Sequence, residues 1–276
     1  MEVVSVARIK VKKVSANELL EADDELAIEE PLEIQLLYGS ESGDIQKSIS
    51  VTMRTPGSDE ELAVGFLFTE GIIQNRKQVS GVKPVPFDDN KVLVSLCENE
   101  QPMLQTTERN FYTTSSCGVC GKSGIDAIKT ISVYKNIADE ICVKADIFYG
   151  LDDALRKQQA IFKSTGGLHA SALFDLLGNL ITLREDVGRH NALDKVIGAA
   201  FLNGRLPLSN TILLLSGRAS FELVQKAAMA GIKIVAAVGA PSSLAVQMAE
   251  DTGITLIGFL RNQRFNIYSG GQRIKL

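Results

Sequence analysis

The residues best suited to chemistry lie in one short stretch. Cys117-Gly118-Val119-Cys120-Gly121 sits inside the small, polar, glycine-rich run 111–126. A thiol reacts as its thiolate, which a helix N-terminus or a nearby cation favours. Small neighbours leave both sulfurs accessible, and Lys122 with a helix starting near Ile125 would supply the positive field. Three chemistries fit two cysteines at this spacing: carrier thiols, a dithiol–disulfide switch, or half of a structural zinc site. Zinc needs two more ligands, and Cys97 and Cys142 stand singly in apolar, strand-like settings that predict core thiols. No metal site is therefore expected. A thioredoxin-type switch belongs near a compact βαβ unit, whereas this pair follows a long loop. Zinc-dependent nucleobase deamination needs His-x-Glu and Pro-Cys-x-x-Cys. Here Ser115-Ser116 precede the cysteines, and neither His169-Ala170-Ser171 nor His190-Asn191-Ala192 holds the glutamate.

The chain has only two histidines, and both fall near glycines and charges. Thr165-Gly166-Gly167-Leu168-His169 places a glycine pair before a strand, where a ligand can approach the backbone. Arg184-Glu185-Asp186-Val187-Gly188-Arg189-His190-Asn191 is a dense polar run between a strand and a helix. Such loops on a rigid frame often carry function, so a binding or catalytic site is expected there; a solvated cap would account for Asp186 and Asn191 alone. Ser216-Gly217-Arg218 and Gly239-Ala240-Pro241 each join a strand to a helix, and helix N-termini attract anions. With Arg261-Asn262-Gln263-Arg264 after a third strand, they suggest a pocket for a phosphorylated ligand; ordinary strand-to-helix turns are the plainer alternative.

These residues need a frame. Of 276 residues, 45% are hydrophobic and 22% charged, which excludes dominant disorder. Lys and Arg number 29 against 33 Asp and Glu, so no chain-wide basic footprint for nucleic acid exists. The first residues lack a secretory h-region, and no apolar run has membrane-spanning length. A cytoplasmic protein is expected. Residues 1–25 are charged and read as peripheral. Strands are predicted at 28–38 and 48–54, a helix capped by Ser58 and ending near Gly71, and a hairpin over 79–98 that turns at Asp88-Asp89-Asn90. A helix over 152–162 precedes a hairpin over 169–185 and a helix over 191–202. The last third alternates strand and helix through Leu260, which predicts a parallel sheet with covering helices. A boundary near residues 100–115 would separate a strand-rich part (1–110) from an α/β core (111–276).

Several stretches, in order, resemble the FdhD family of sulfurtransferases required for formate dehydrogenase activity. They are Glu29-Glu30-Pro31-Leu32, Met53-Arg54-Thr55-Pro56-Gly57, Glu61–Leu67 with Thr69-Glu70-Gly71, Ser115–Gly124, Gly166–His169, Glu185–Lys195, Ser216-Gly217-Arg218 and Phe259–Arg264. The resemblance implies a cytidine deaminase-like α/β/α core, a homodimer, and persulfide transfer from a cysteine desulfurase. The acceptor would be a molybdenum or tungsten bis-pterin guanine dinucleotide cofactor, later inserted into the formate dehydrogenase catalytic subunit. The family's persulfide cysteine corresponds to Cys117, with Cys120 beside it. Its cofactor-binding stretch corresponds to Phe259, Leu260, Arg261, Asn262, Gln263 and Arg264. His169, Arg189, His190, Ser216, Gly217 and Arg218 are further candidate contacts, and guanosine diphosphate is an expected mimic of the cofactor. A cofactor chaperone without sulfur transfer, or a dithiol oxidoreductase, is the competing reading.

Overall fold

The computed structural model describes residues 5–16, 18–41, 43–104, 132, 134 and 140–276; Cys117, Cys120 and the helix expected near Ile125 lie outside them. The chain opens on a hairpin, β1 (Val6–Ser15) paired with β2 (Glu18–Ala27). Strand alternation sets Arg8 opposite Glu25, Lys10 opposite Asp23 and Lys12 opposite Glu21 on one face. Opposite charges directly across a ladder favour pairing, and Ala7, Ile9 and Val11 alternate with them on the other face.

A four-stranded sheet follows, ordered β4-β3-β6-β5, from β3 (Glu30–Ser40), β4 (Gly43–Arg54), β5 (Val79–Val85) and β6 (Asp88–Leu96). The β5–β6 turn is Pro86-Phe87, not the acidic triplet, because Val85 already pairs with Asp88. Proline presets φ there, and Phe87 takes a left-handed φ of 63°. Helix α1 (Asp59–Thr69) covers this sheet. Ser58 does not cap it by its side chain: its φ of 56° departs from the extended geometry a side-chain cap uses. Instead its carbonyl accepts from Leu62 N–H at 2.9 Å. Seven of the eleven residues of α1 are buried, more than one stripe, since a second helix packs on its other side.

The remaining elements build a mixed α/β unit. After β7 (Val143–Lys144) come α2 (Ala145–Tyr149), α3 (Leu151–Gln158) and α4 (Ala160–Thr165). The single helix expected over 152–162 is thus two, broken at Gln159, whose ψ of 81° is not helical. Then follow β8 (His169–Asp175), β9 (Leu180–Asp186), α5 (Arg189–Leu202), β10 (Thr211–Leu215), α6 (Phe221–Met229), β11 (Ile234–Ala237), α7 (Ser243–Thr252), β12 (Thr255–Arg261) and β13 (Arg264–Ser269). The central sheet runs β13-β12-β11-β10-β8-β9, with β10, β11 and β12 parallel. A short strand β14 (Ile274–Lys275) pairs with β7.

Alternation along the parallel strands divides the core. Leu213, Leu215, Val235 and Ala237 pack with α5, α6 and α7, and Ile212, Leu214, Ile234 and Ala236 pack with Phe148, Leu151 and Leu155 of α2 and α3. Helices therefore cover both faces. The first of these clusters continues through α1 into the four-stranded sheet. Among the described residues no helix is long and apolar enough to cross a membrane.

Candidate functional site at the strand ends

The carboxyl ends of β9, β10, β11 and β12 meet at one edge of the central sheet. β8 runs antiparallel to β10, so it begins where β10 ends. His169 therefore pairs with Asp186 of β9 and lies against Gly217; a Cβ at position 217 would stand 3.4 Å from its Nδ1. Ser216 stitches the two strands: its Oγ accepts from Ala170 N–H at 2.8 Å and its N–H donates to Ala170 O at 3.0 Å. Burial lowers the His169 pKa, and Arg189 and Arg218 push it down further against the pull of Asp186. The imidazole is thus neutral beside two guanidiniums.

Gly239 allows Arg218 to lie close, since a Cβ there would meet Arg218 at 3.0 Å. Arg261 and Arg264 flank the β12–β13 turn, where Asn262 and Gln263 take left-handed φ values of 51° and 55°. All four residues are exposed, as is Phe259. Leu260 is buried in the α2–α3 cluster, so within this stretch it contributes packing. The edge thus gathers Arg189, Arg218, Arg261 and Arg264 with the N-termini of α5, α6 and α7.

The polar run at the end of β9 and the start of α5 is used largely for structure. Asp186, fully buried, meets Lys195 Nζ at 2.7 Å and accepts from Gly188 N–H, Asn191 Nδ2 and Thr55 N–H. Lys195 also donates to Thr55 O at 2.8 Å, and Asn191 donates to Met53 O at 2.7 Å. Burial pushes the Asp186 carboxyl up, and Lys195 opposes it. Arg184 pairs with Glu61 of α1, while Glu185 accepts from Ile161 and Phe162 N–H at the start of α4. A second buried network joins Lys226 to Asp194 at 2.9 Å, to Glu70 at 3.3 Å and to Thr69 Oγ1 at 2.8 Å. Burial works against the Lys226 ammonium, but Asp194 and Glu70 outweigh it and hold its pKa above the ordinary lysine value.

His190, the other candidate contact, is buried. It is 4% exposed, and its Nε2 has no hydrogen-bond partner among the described residues. Glu222 lies 3.9 Å away, beyond hydrogen-bond range. Burial, with Lys226 and Arg189, lowers its pKa to about 3. Between that value and the unfolded value of about 6.5, the unfolded chain binds a proton that the folded chain refuses. The His190 contribution is therefore present above the unfolded pKa and is lost as pH falls, at roughly 1.4 kcal/mol per pH unit. The stability difference between the natural chain and His190→Gln should change over that window and be flat above it, as measured by urea unfolding. A difference independent of pH from 7 to 4 would contradict a buried neutral imidazole.

The other cysteines also differ from expectation. Cys97 is half-buried, with its Sγ donating to Lys77 O at 3.1 Å, and Cys142 is exposed; neither is a core thiol. They end up at strand margins because the apolar alternation of β6 stops at Leu96 and the small cluster nearby is completed by Ile141 and Val143.

A cavity of about 400 Å³ opens beside this edge. Its lining includes Gln159 and Phe162 from the α3–α4 break, Gly167 and His169, and Ser216 and Gly217. Gly166, left-handed at φ 68°, ends α4 and turns the chain toward β8. Sequence patterning missed Gln159, which reads as one more polar residue of a helix.

The fold and this edge define an open-sheet α/β protein, in which ligands bind outside the carboxyl ends of the strands. The FdhD/NarQ family model matches residues 27–275, and the chain belongs to that family. It is 49% identical to a sulfur carrier protein FdhD of Mycolicibacterium paratuberculosis, over 99% of this chain and 100% of the relative. It is 42% identical to the protein of the same name from Thermoplasma volcanium, over 96% and 95%. A crystal structure described as a formate dehydrogenase accessory protein, from Desulfotalea psychrophila, is similar at TM-score 0.75 and 25% identity, over 99% of this chain and 100% of that one.

Proposed function

We propose that this protein is a cytoplasmic, homodimeric sulfur carrier serving formate dehydrogenase. The end-to-end match to relatives named sulfur carrier protein carries this reading, since both Cys117 and Cys120 fall within the matched span. The Cys117 thiolate attacks the terminal sulfur of a desulfurase cysteine persulfide. One S–S bond forms as another breaks, the desulfurase thiolate leaves, and no external oxidant is needed. Cys117 then holds the sulfur as its own persulfide. The recipient is a molybdenum or tungsten bis-pterin guanine dinucleotide cofactor, destined for the formate dehydrogenase catalytic subunit.

The strand-end edge fits such a polyanionic cargo. Arg189, Arg218, Arg261 and Arg264 suit phosphate oxygens, to which guanidinium binds bidentately. Gly217 and Gly239 keep side chains off the backbone where a ligand would approach. Asn262 and Gln263 add neutral donors and acceptors at the exposed turn.

Mass spectrometry of each cysteine after incubation with a desulfurase and cysteine tests the reading. One added sulfur on Cys117, absent in Cys117→Ala, is expected. Cofactor sulfuration that survives Cys117→Ala would make the protein a chaperone for the cofactor. A reversible Cys117–Cys120 disulfide without added sulfur would make it a dithiol oxidoreductase.

A further inference from the structure

Two polar atoms beside the strand-end edge are buried without a partner among the described residues: Nε2 of His190 and Oγ of Ser220. A buried donor or acceptor left unpaired is destabilising, and native proteins commonly satisfy such groups with an ordered water. Both atoms belong to one junction. His190 is the second residue of α5. Ser220 immediately precedes α6, but its side chain does not cap that helix. Glu222, in the first turn of α6, brings a carboxylate oxygen to 3.9 Å from His190 Nε2, too far for a direct bond. Two atoms at that separation can share one water, each at ordinary hydrogen-bond length.

The charges around the imidazole select the kind of ligand. Glu222 and Glu70 act against an anion there, and Lys226 and Arg189 act against a cation. That leaves a neutral molecule that both donates and accepts. A neutral imidazole offers one donor and one acceptor nitrogen, a carboxylate only accepts, and a hydroxyl does either. A water can donate to Glu222 and still serve His190 and Ser220, which makes about the three partners usual for a buried water. We propose that one ordered water bridges His190 Nε2 to the first turn of α6, through Glu222 and Ser220 Oγ, and so ties the start of α5 to the start of α6. Arg189 opens α5, and Arg218 lies in the short turn that ends at Ser220. The bridge therefore fixes how the two guanidiniums stand to each other, and His190 is a positioning residue. That these arginines take an anion rests on the reading above; the bridge itself does not.

A crystal structure of the full chain that resolves ordered water tests the bridge, in the natural protein and in His190→Leu. A water within hydrogen-bond distance of His190 Nε2 and of Glu222 or Ser220 is expected, and it should be gone from His190→Leu. Calorimetric titration with pyrophosphate reads the positioning. His190→Leu should bind about threefold to tenfold more weakly, and His190→Gln, whose carboxamide can still bond a water, should recover most of the loss. A protein group bonded to Nε2, or a water on His190 that touches neither Glu222 nor Ser220, overturns the inference. Pyrophosphate binding by His190→Leu equal to that of the natural protein overturns the positioning role. If the natural protein binds no pyrophosphate, the anion reading fails, and the crystal structure still decides the bridge.

Discussion

Asp186→Ala should cost about 3–5 kcal/mol of folding stability, the range for breaking a buried ion pair by removing one partner. The residue is fully buried and Lys195 is 2% exposed, so neither charge can be handed to water. Deleting the carboxylate leaves the ammonium with one acceptor, Thr55 O. It also strips an acceptor from Gly188 N–H, Thr55 N–H and Asn191 Nδ2. A domain has only about 5–15 kcal/mol in total, so the loss should be plain in urea unfolding. Asp186→Ala with Lys195→Met should recover much of it, since replacing both charges by apolar groups is often neutral. A single substitution costing under about 1 kcal/mol would mean that this pair does not hold α5 to the β4–α1 connection. The site would feel the change: Arg189 and His190 begin the helix that the pair anchors.

This latch explains why the sequence misleads at that run. Seen locally, Asp186 and Asn191 are polar residues crowded near histidines, which suggests a site. Their partners Met53, Thr55 and Lys195 come partly from more than 130 residues away, and no periodicity reports such a pairing. By contrast, β10 and β11 are legible because a parallel strand buried on both faces reads as an unbroken apolar run. β13 is not, since its residues are exposed or half-buried and it pairs only at the sheet edge with β12. The histidines divide in the same way. His169 lies at the strand-end edge beside Arg189 and Arg218. His190 lies one helical position inside a protein core, and only the packing of α6 and Lys226 around it reveals that. The break at Gln159 is not legible, because Gln158-Gln159-Ala160 does not announce it.

Gly198→Ala tests the frame from another side. By helix propensity alone, alanine in the middle of α5 should stabilise by about 1 kcal/mol. The packing predicts the opposite. α1 and α5 cross so closely that a Cβ at Gly198 would fall on the backbone carbonyl of Glu61, and a Cβ at Gly65 on the carbonyl of Asp194. Each helix thus supplies the glycine that admits the other's backbone. A side chain could rotate away, but a carbonyl held in a helix cannot, so the helices must part. The cost should reach at least the upper end of overpacking penalties, about 3 kcal/mol, outweighing propensity. Gly150→Ala, at a helix junction with nothing within 4 Å of the new Cβ, provides the control and should change stability by less than about 0.5 kcal/mol. Parting the helices would also strain Glu61–Arg184, which ties α1 to β9, and the Thr69–Asp194–Lys226 network, which ties α1 to α5 and α6. Gly198→Ala should therefore weaken the calorimetric response to pyrophosphate as well as lower the urea midpoint, because α5 carries Arg189 to the strand-end edge. If it lowers neither, the two helices have room to spare and the paired glycines need another explanation.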